Sequence, residues 1–95
     1  MRKNVLAPLV ANEAPSADTL TDYDRDHLIT YRGLIDADTH GAEWDEAAVV
    51  VLCIDPIREP ARAHHMWKTH LARAKWLAAH GYAHLICGEL NVSAA

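Results

Sequence analysis

The chain has 95 residues, of which 51% are apolar, and it carries a net charge of −4. This length fits one domain with a single modest core, and no run of about 18 apolar residues is present that would form a transmembrane helix. The first residues lack a signal-peptide cleavage pattern, so we expect a cytoplasmic protein in which Cys53 and Cys87 are reduced thiols in the core.

The charges are segregated along the sequence. Residues 18–59 contain eleven acidic and three basic residues, a net charge of −8, whereas residues 60–88 contain four basic residues and no acidic one. Phosphate groups repel an acidic surface over a distance of about 8–10 Å at ordinary salt concentrations. The acidic part therefore disfavours a nucleic-acid partner, although a charged surface of this kind also simply keeps proteins soluble.

Residues 1–19 contain Pro8 and Pro15 and show no hydrophobic period, so we predict a flexible N-terminal arm. The first predicted helix begins after Thr21, a favourable N-cap residue, and ends near Gly41, which suits the end of a helix. At helical spacing this segment forms one apolar face that includes a histidine. The residues of this face are Leu20, Tyr23, His27, Leu28, Tyr31, Leu34 and Ile35.

The second predicted helix lies in "AEWDEAAVVVLCIDP", residues 42–56. Acidic residues suit its first turn, and Asp55 ends it because the residue before a proline avoids the helical region. The run of three valines, residues 49–51, would also suit a buried strand. We favour a helix because no second strand is available for pairing and the larger apolar residues fall at helical spacing. These residues are Trp44, Ala47, Ala48, Val51 and Leu52.

The third predicted helix begins near Pro60 and ends at Gly81. Its predicted inner stripe consists of Ala63, Trp67, Leu71, Ala74, Leu77 and Ala78. The opposite side, which we expect to face outward, consists of His65, Thr69, Ala72, Trp76 and Ala79. Four basic residues flank that outward side, namely Arg62, Lys68, Arg73 and Lys75. The apolar segment "YAHLICGEL" follows, and it either covers Trp76 or leaves it as an outward anchor.

Two helices, a connector and a long helix follow one another in the order of a helix-turn-helix domain. The connector "DPIREP" puts about six residues between the second and third helices, where about three or four are usual. The sequence therefore predicts an all-α, trihelical helix-turn-helix variant with an extended turn. We expect this domain to span residues 20–88, with residues 89–95 as a C-terminal tail.

Three stretches of the chain, "YDRDHLITYRGLIDAD", "EWDEAAVVVLCIDPIREPARA" and "HLARAKWLAAHGYAHLI", together resemble a proteobacterial family described as a domain of unknown function. Members of this family are encoded on integrative and conjugative elements. The resemblance covers residues 18–87 and depends on the ordered set of stretches, since no single motif is specific. It implies an extended-turn helix-turn-helix fold.

Members of that family differ in function. Some are the DNA-binding part of a transcriptional activator and have a positive surface. Others are short, acidic antiactivators, which bind the activator's other domain and block transcription of conjugative-transfer genes. This chain is short and net negative, so it resembles the antiactivators. The resemblance implies regulation of horizontal gene transfer by mimicry of the activator's helix-turn-helix domain, without binding to nucleic acid or membrane.

The expected partner is the non-helix-turn-helix domain of a transcriptional activator, and a second partner such as a quorum-sensing receptor is left open. We expect a monomer, because no heptad seam is present. The expected contact residues combine aromatic anchors with hydrogen-bonding groups, as interfaces do. These residues are Tyr23, Asp24, His27, Tyr31, His70 and Trp76. The alternative for this set is ordinary packing in the core, with His27 hydrogen-bonded to Asp24.

The alternative function is a small DNA-binding regulator that uses residues 60–80 as its recognition helix. The contacts would then come from Arg62, Lys68, Arg73 and Lys75. Of the side chains on the outward face, only the two arginines suit base reading, and both lie off its centre.

Other chemistry is disfavoured. The seven histidines do not form a ligand set, because Gly81 breaks the helix between His80 and His84 and no cysteine or carboxylate completes a tetrahedral site. Cys53 and Cys87 lie in apolar stretches without a base at useful spacing, and no glycine-rich phosphate loop is present. We therefore predict no metal, no cofactor and no enzymatic activity.

Overall fold

The computed structural model describes residues 10–86, and all of the regular secondary structure in that range is helical, which confirms the all-α class. Its helices are α1 (Asp22–Asp26), α2 (Leu28–Thr39), α3 (Trp44–Val50), α4 (Pro60–Leu77) and α5 (Ala83–Ile86). The long helix α4 packs against both α2 and α3, and α5 packs against α2. No helix within residues 10–86 is long and apolar enough to cross a membrane.

The first predicted helix is in fact two helices, α1 and α2. Thr21 caps α1 as predicted: its hydroxyl accepts from the Asp24 N–H at 3.1 Å, and the Asp24 carboxylate accepts from the Thr21 N–H at 2.9 Å. The helix breaks at His27, where φ is −119° and ψ is 24°. The His27 ring donates from Nδ1 to the Tyr23 carbonyl at 2.8 Å. This carbonyl is the acceptor that the His27 backbone N–H would use in a continuous helix, so that N–H bonds to Asp24 instead.

Helix α2 ends at Thr39, close to the predicted glycine. Gly41 has a φ of 77°, in the left-handed region that glycine adopts without steric cost. Its N–H bonds to the Asp38 carbonyl at 3.0 Å, and the Ala42 N–H bonds to the Ala37 carbonyl at 2.9 Å. This pair of bonds is a Schellman motif. The chain can therefore turn directly from α2 into α3.

Helix α3 is shorter than predicted, because it ends at Val50 and not near Ile54. The chain leaves the helix through Cys53, which has a φ of 59° and is exposed, not in the core as predicted. The Ile54 N–H returns to the Ala48 carbonyl at 3.2 Å. The valine run forms the end of this helix and the turn after it, and no strand is present within residues 10–86. Ile54 belongs to the segment after the helix and is buried in the core, so the chain leaves the helix before it reaches the proline.

The connector between α3 and α4 comprises residues 51–59 and is longer than the six residues predicted. Within it, the Asp55 carboxylate accepts from the Ile57 N–H at 2.9 Å, and the Glu59 N–H bonds to the Asp55 carbonyl at 3.0 Å. Helix α4 then begins at Pro60, as predicted, because a first-turn proline has no N–H that would be left unpaired.

The core consists of two clusters on the two ends of α4. The first lies between α2, α3 and α4 and contains Leu34, Ala47, Ala48, Leu52, Ile54, Ala63, Met66 and Leu71. The second lies between α2, α4 and α5 and contains Tyr31, Ala74, Leu77 and Ile86. The predicted inner stripes supply most of these residues. Met66 was missed, whereas Trp67, predicted in the core, is only half-buried against the first cluster.

The C-terminal end of α4 also differs from the prediction. The regular helix ends at Leu77, four residues before Gly81, and Gly81 turns the chain with a φ of 98°. A π-helical turn, Ala78–Tyr82, follows α4, and residues 83–86 of the predicted final apolar segment form α5, which packs on α2. Cys87 and the predicted tail, residues 89–95, lie outside the described residues, as do residues 1–9 of the predicted arm.

Residues 11–19, called the strap below, lie against α4, so the predicted boundary at residue 19 does not separate a free arm from the domain. Ala14 is buried, and its N–H bonds to the Thr69 hydroxyl at 3.2 Å. Arg73 donates to the Ala17 carbonyl at 2.7 Å and to the Thr19 carbonyl at 2.9 Å. The carbonyl groups of the strap thus find donors on α4, which explains why a proline-containing segment without hydrophobic period is attached to the body.

Candidate functional site

Five of the six predicted partner-contact residues come together, but they do so inside the molecule. Asp24, Tyr31 and His70 are fully buried, His27 is buried, and Tyr23 is half-buried. Their polar atoms are hydrogen-bonded to one another or to the backbone, as buried polar groups require. The alternative weighed in the sequence, core packing, therefore describes these side chains, except that His27 bonds to the Tyr23 carbonyl and stacks on the Tyr23 ring at 3.9 Å.

Asp24 is the centre of this polar cluster. Its carboxylate accepts from Arg73 Nη2 at 2.7 Å, from Arg73 Nε at 3.1 Å and from the Tyr31 hydroxyl at 2.7 Å, in addition to its bonds with Thr21. Burial alone would raise the pKa of Asp24, but the hydrogen bonds from Arg73, Thr21 and Tyr31 outweigh it and lower the pKa to about 2. The cluster thus holds a fully paired, ionised carboxylate inside the protein.

Arg73 is buried, although it was predicted to flank the outward side of α4 and, under the alternative function, to contact DNA. Its guanidinium forms the ion pair with Asp24 and also donates hydrogen bonds to the strap carbonyls of Ala17 and Thr19. The hydrogen bond with Asp24 raises the pKa of Arg73. A side chain held in this way cannot reach a base edge without leaving a buried carboxylate unpaired.

His70 and Tyr23 connect the cluster to the strap. His70 Nδ1 lies 2.8 Å from the Met66 carbonyl, which can only accept, so Nδ1 carries the proton and Nε2 accepts from the Tyr23 hydroxyl at 2.6 Å. The Tyr23 oxygen accepts in turn from the Ala11 N–H at 2.9 Å. Burial lowers the pKa of His70, which agrees with a neutral ring in this chain of bonds.

Trp76 is the sixth predicted contact residue, and it lies apart from the hydrogen bonds of the polar cluster. It is half-buried at the edge of the second core cluster. The Arg73 guanidinium lies 4.6 Å from its ring centroid, and the His80 ring stacks on it at 4.2 Å. A shallow cavity of about 320 Å³ separates it from the strap residues Pro15 and Ser16. Trp76 therefore combines a partial exposure with neighbours that fix its orientation.

The basic residues of α4 are mostly paired within the protein. Arg62 donates to the Asn12 side chain at 2.7 Å and to Glu59 at 3.0 Å, and Lys75 forms an ion pair with Asp38 at 3.0 Å. Lys68 is exposed and has no ion pair with any residue between 10 and 86. Of the four predicted DNA contacts, one is buried and two have partners.

The strap crosses the side of α4 that was predicted to face outward. Ala14 bonds to Thr69, and Glu13 lies 3.4 Å from His65. Ala72 and His65 stay exposed, while Thr69 is partly covered. In a helix-turn-helix domain this side of the third helix would enter the DNA groove. Here a segment of the same chain occupies part of it.

A group of exposed apolar residues lies elsewhere, and the sequence analysis did not single it out. Ile29 is 84% exposed, Val50 is 72% exposed and Ile57 is 88% exposed, and Val49 is about half exposed. The valine run was interpreted only for its secondary structure. The signal in the sequence was the placement of Val49 and Val50 off the apolar stripe of the second helix.

Comparison with known proteins assigns no family, since no family model matches the chain and no curated protein matches its sequence. In the part of the chain that the structure describes, no three His, Cys, Asp or Glu side chains converge in a way that would hold a metal ion. The observations that bear on function are therefore the pairing of the basic residues and the nature of the exposed surfaces.

Proposed function

We propose that the protein is an antiactivator, which binds the non-helix-turn-helix domain of a transcriptional activator and blocks its activation of conjugative-transfer genes without binding DNA. In this proposal the fold is a helix-turn-helix variant, in which residues 51–59 form the extended turn and α4 takes the position of the recognition helix. The order of the helices and the resemblance of the sequence to the short, acidic members of the family support it.

The observation that carries the proposal is the pairing of the basic residues on α4. Direct reading of bases needs arginine, asparagine or glutamine side chains that are aimed at base edges. Arg73 is bound to Asp24 inside the molecule, and Arg62 is bound to Glu59 and Asn12 at the surface. A helix that takes the position of a recognition helix but has no free arginine fits a mimic of a helix-turn-helix domain better than a protein that reads DNA sequence.

The surface charge supports the same proposal. Most acidic residues of the first three helices and their turns are exposed, including Asp22, Asp26, Asp36, Glu43, Asp45 and Glu46. Such a surface repels phosphate and attracts a basic protein surface, which speeds the encounter with that partner. An antiactivator would work by competition. The activator's other domain normally contacts the activator's own helix-turn-helix domain, and the antiactivator offers a copy of that domain in its place.

The test is a titration of the purified protein into labelled duplex DNA at about 50 mM salt, first alone and then with the activator bound to its own site. We expect no shift of the DNA by the protein alone, and loss of the activator's shift when the protein is added. The variant Lys68→Ala should behave like the wild type in both titrations, because this unpaired lysine would matter only to a DNA binder.

The alternative function, a small DNA-binding regulator, predicts a different result. Saturable binding to DNA by the protein alone, with an affinity that falls steeply with salt, would contradict the antiactivator. The logarithm of the affinity would then fall with the logarithm of the salt concentration, with a slope of about −0.9 per phosphate contact. Lys68→Ala would reduce that slope by about one contact.

A further inference from the structure

A groove of about 340 Å³ lies between α2 and α3, on a different set of residues from the polar cluster. Its floor consists of small residues, namely Gly33 and Ala37 on α2, Ala42 in the turn and Ala47 on α3. A Cβ atom built on Gly33 would lie 3.2 Å from Cγ1 of Val51, so the two helices approach closely there. The small residues leave an apolar trough that nothing in the described chain fills.

Large apolar side chains border this trough and point into solvent. Val50 lines it from α3 and is 72% exposed. Ile29 precedes Gly33 by four residues, so it continues the same row of α2 by one helical turn, and it is 84% exposed. Single exposed apolar residues are ordinary, but here two of the most exposed ones lie in line with an open apolar trough.

Among residues 10–86, the one charged side chain that lines the groove, Glu46, is acidic, and further acidic residues are exposed on the two helices that form the groove. Glu43 and Asp45 are exposed at the start of α3, and Asp36 is exposed on α2. Arg32 is the single basic residue among residues 28–51, which contain five acidic residues. The groove thus combines an apolar floor with acidic surroundings, called the rim below.

We propose that the α2–α3 groove binds an amphipathic helix of the partner, with aliphatic residues along one face and lysine or arginine on both flanks. In this mode of recognition apolar side chains at helical spacing enter the groove, and charges on the flanks fix the orientation. The inference rests on the proposed function, because it names the surface by which the antiactivator holds the activator.

The charge of the groove argues for this partner over the others. A second copy of the chain, docked by the same face, would bring two acidic rims together, and like charges placed opposite one another disfavour association. Nucleic acid is repelled for the same reason. A basic, amphipathic helix satisfies both the apolar floor and the rim.

The experiment compares two groove variants with two matched controls. Val50→Asp places a charge at the apolar edge, and Glu46→Lys reverses the rim; Ile57→Asp and Asp26→Lys make the same changes at exposed positions that do not line the groove. The affinity of each full-length variant for the activator's non-helix-turn-helix domain is measured by calorimetry. We expect about a tenfold or greater loss for the groove variants and less than about a twofold change for the controls.

The outcomes distinguish a failure of the groove inference from a failure of the proposed function. If the wild type binds the activator domain and the groove variants bind as tightly as the controls, the groove inference is wrong and the antiactivator stands. All four side chains are exposed, so we expect the circular dichroism and the melting temperature of each variant to match those of the wild type. If Val50→Asp loses affinity because it unfolds, the milder Val50→Ser takes its place. The oligomeric state of the wild type and of Val50→Asp is measured by analytical ultracentrifugation. If the wild type self-associates and Val50→Asp does not, the groove binds a second copy of the chain and the inference is wrong.

If the wild type does not bind the activator domain, the proposed function fails, and the groove is tested with a separate probe. The probe is a synthetic helical peptide with leucine along one face and lysine on the flanks, and its matched control has glutamate in place of lysine. Amide shifts of Gly33, Ala37 and Val50 on addition of the lysine peptide alone would support the groove. Shifts confined to other regions, or equal shifts with both peptides, would overturn it.

Discussion

At the scale of single residues, the pair of Asp24 and Arg73 decides how α4 is interpreted. The two side chains are 49 positions apart in the chain and meet through two hydrogen bonds, of 2.7 and 3.1 Å, with both groups buried. Removing one partner of such a pair leaves a charge in the interior that water no longer solvates. The pair therefore ties α1 to α4, and Arg73 also ties the strap to both.

Replacing Arg73 by alanine should destabilise the protein by about 3–5 kcal/mol, because Asp24 would stay buried with its charge unpaired. The matched control is Arg62→Ala, which removes a surface arginine with an exposed ion pair and should cost about 0–1 kcal/mol. Urea unfolding measures both free energies. Equal losses in the two variants would contradict the view that Arg73 is structural.

At the scale of helices, the boundaries that local capping residues set were predicted, and the other boundaries were not. Thr21 and Pro60 begin helices where the sequence predicted, because N-cap and first-turn preferences act within one turn of the chain. The break at His27 and the end of α3 at Val50 were not predicted. The break accompanies the bond from the His27 ring to the Tyr23 carbonyl, and the end of α3 accompanies the burial of Ile54. The helical period of the sequence indicates neither of them.

The contribution of the α1 cap to the free energy of unfolding can be tested by mutation. Thr21→Ala removes the acceptor for the Asp24 N–H and one donor to the Asp24 carboxylate, so we expect a loss of about 1 kcal/mol in the free energy of unfolding. Thr21→Ser should recover most of it, because serine keeps the hydroxyl. Thr39→Ala is the control at an exposed helical threonine and should change the stability by less than about 0.5 kcal/mol. A loss in Thr21→Ser as large as that in Thr21→Ala would exclude the cap as its cause.

At the scale of the whole molecule, two buried groups make the stability depend on pH in the same direction. The pKa of Asp24 is lowered from 3.8 to about 2, so the unfolded chain binds its proton first as pH falls. Its contribution is complete above about pH 4 and is lost toward pH 2, and it amounts to about 2 kcal/mol. The pKa of His70 is lowered below 6.5, so the unfolded chain also takes up this proton first.

The free energy of unfolding should therefore begin to fall as the pH drops below about 6.5, and it should fall again below about pH 4. His70→Gln should remove the first decrease and leave the second, since Asp24 is unchanged. His84→Gln, at an exposed histidine, is the matched control and should retain both. Urea titrations at pH 7.5, 5.5 and 3 measure the profile. Parallel profiles for His70→Gln and the wild type would show that another group causes the first decrease.

The sequence by itself determined the all-α class, the starts of α1, α3 and α4, most of the apolar faces that form the two core clusters, and the acidic character of the first three helices. These features depend on residues within a turn or two of one another, so local physics is enough. The candidate contact residues Tyr23, His27 and Tyr31 were also brought together as a group, because they share one face of a helical segment.

Only the tertiary structure decided which of these residues are buried and which are exposed. Arg73 lies at the edge between the inner and outer faces of α4, and it turns inward because α1 presents Asp24 and the strap presents carbonyl groups. The α2–α3 groove exists because Gly33 allows a close approach to Val51, while Val50 is left without a neighbour to cover it. A residue at the edge of a helix face is buried or exposed according to what distant segments place beside it, and no local pattern contains that information.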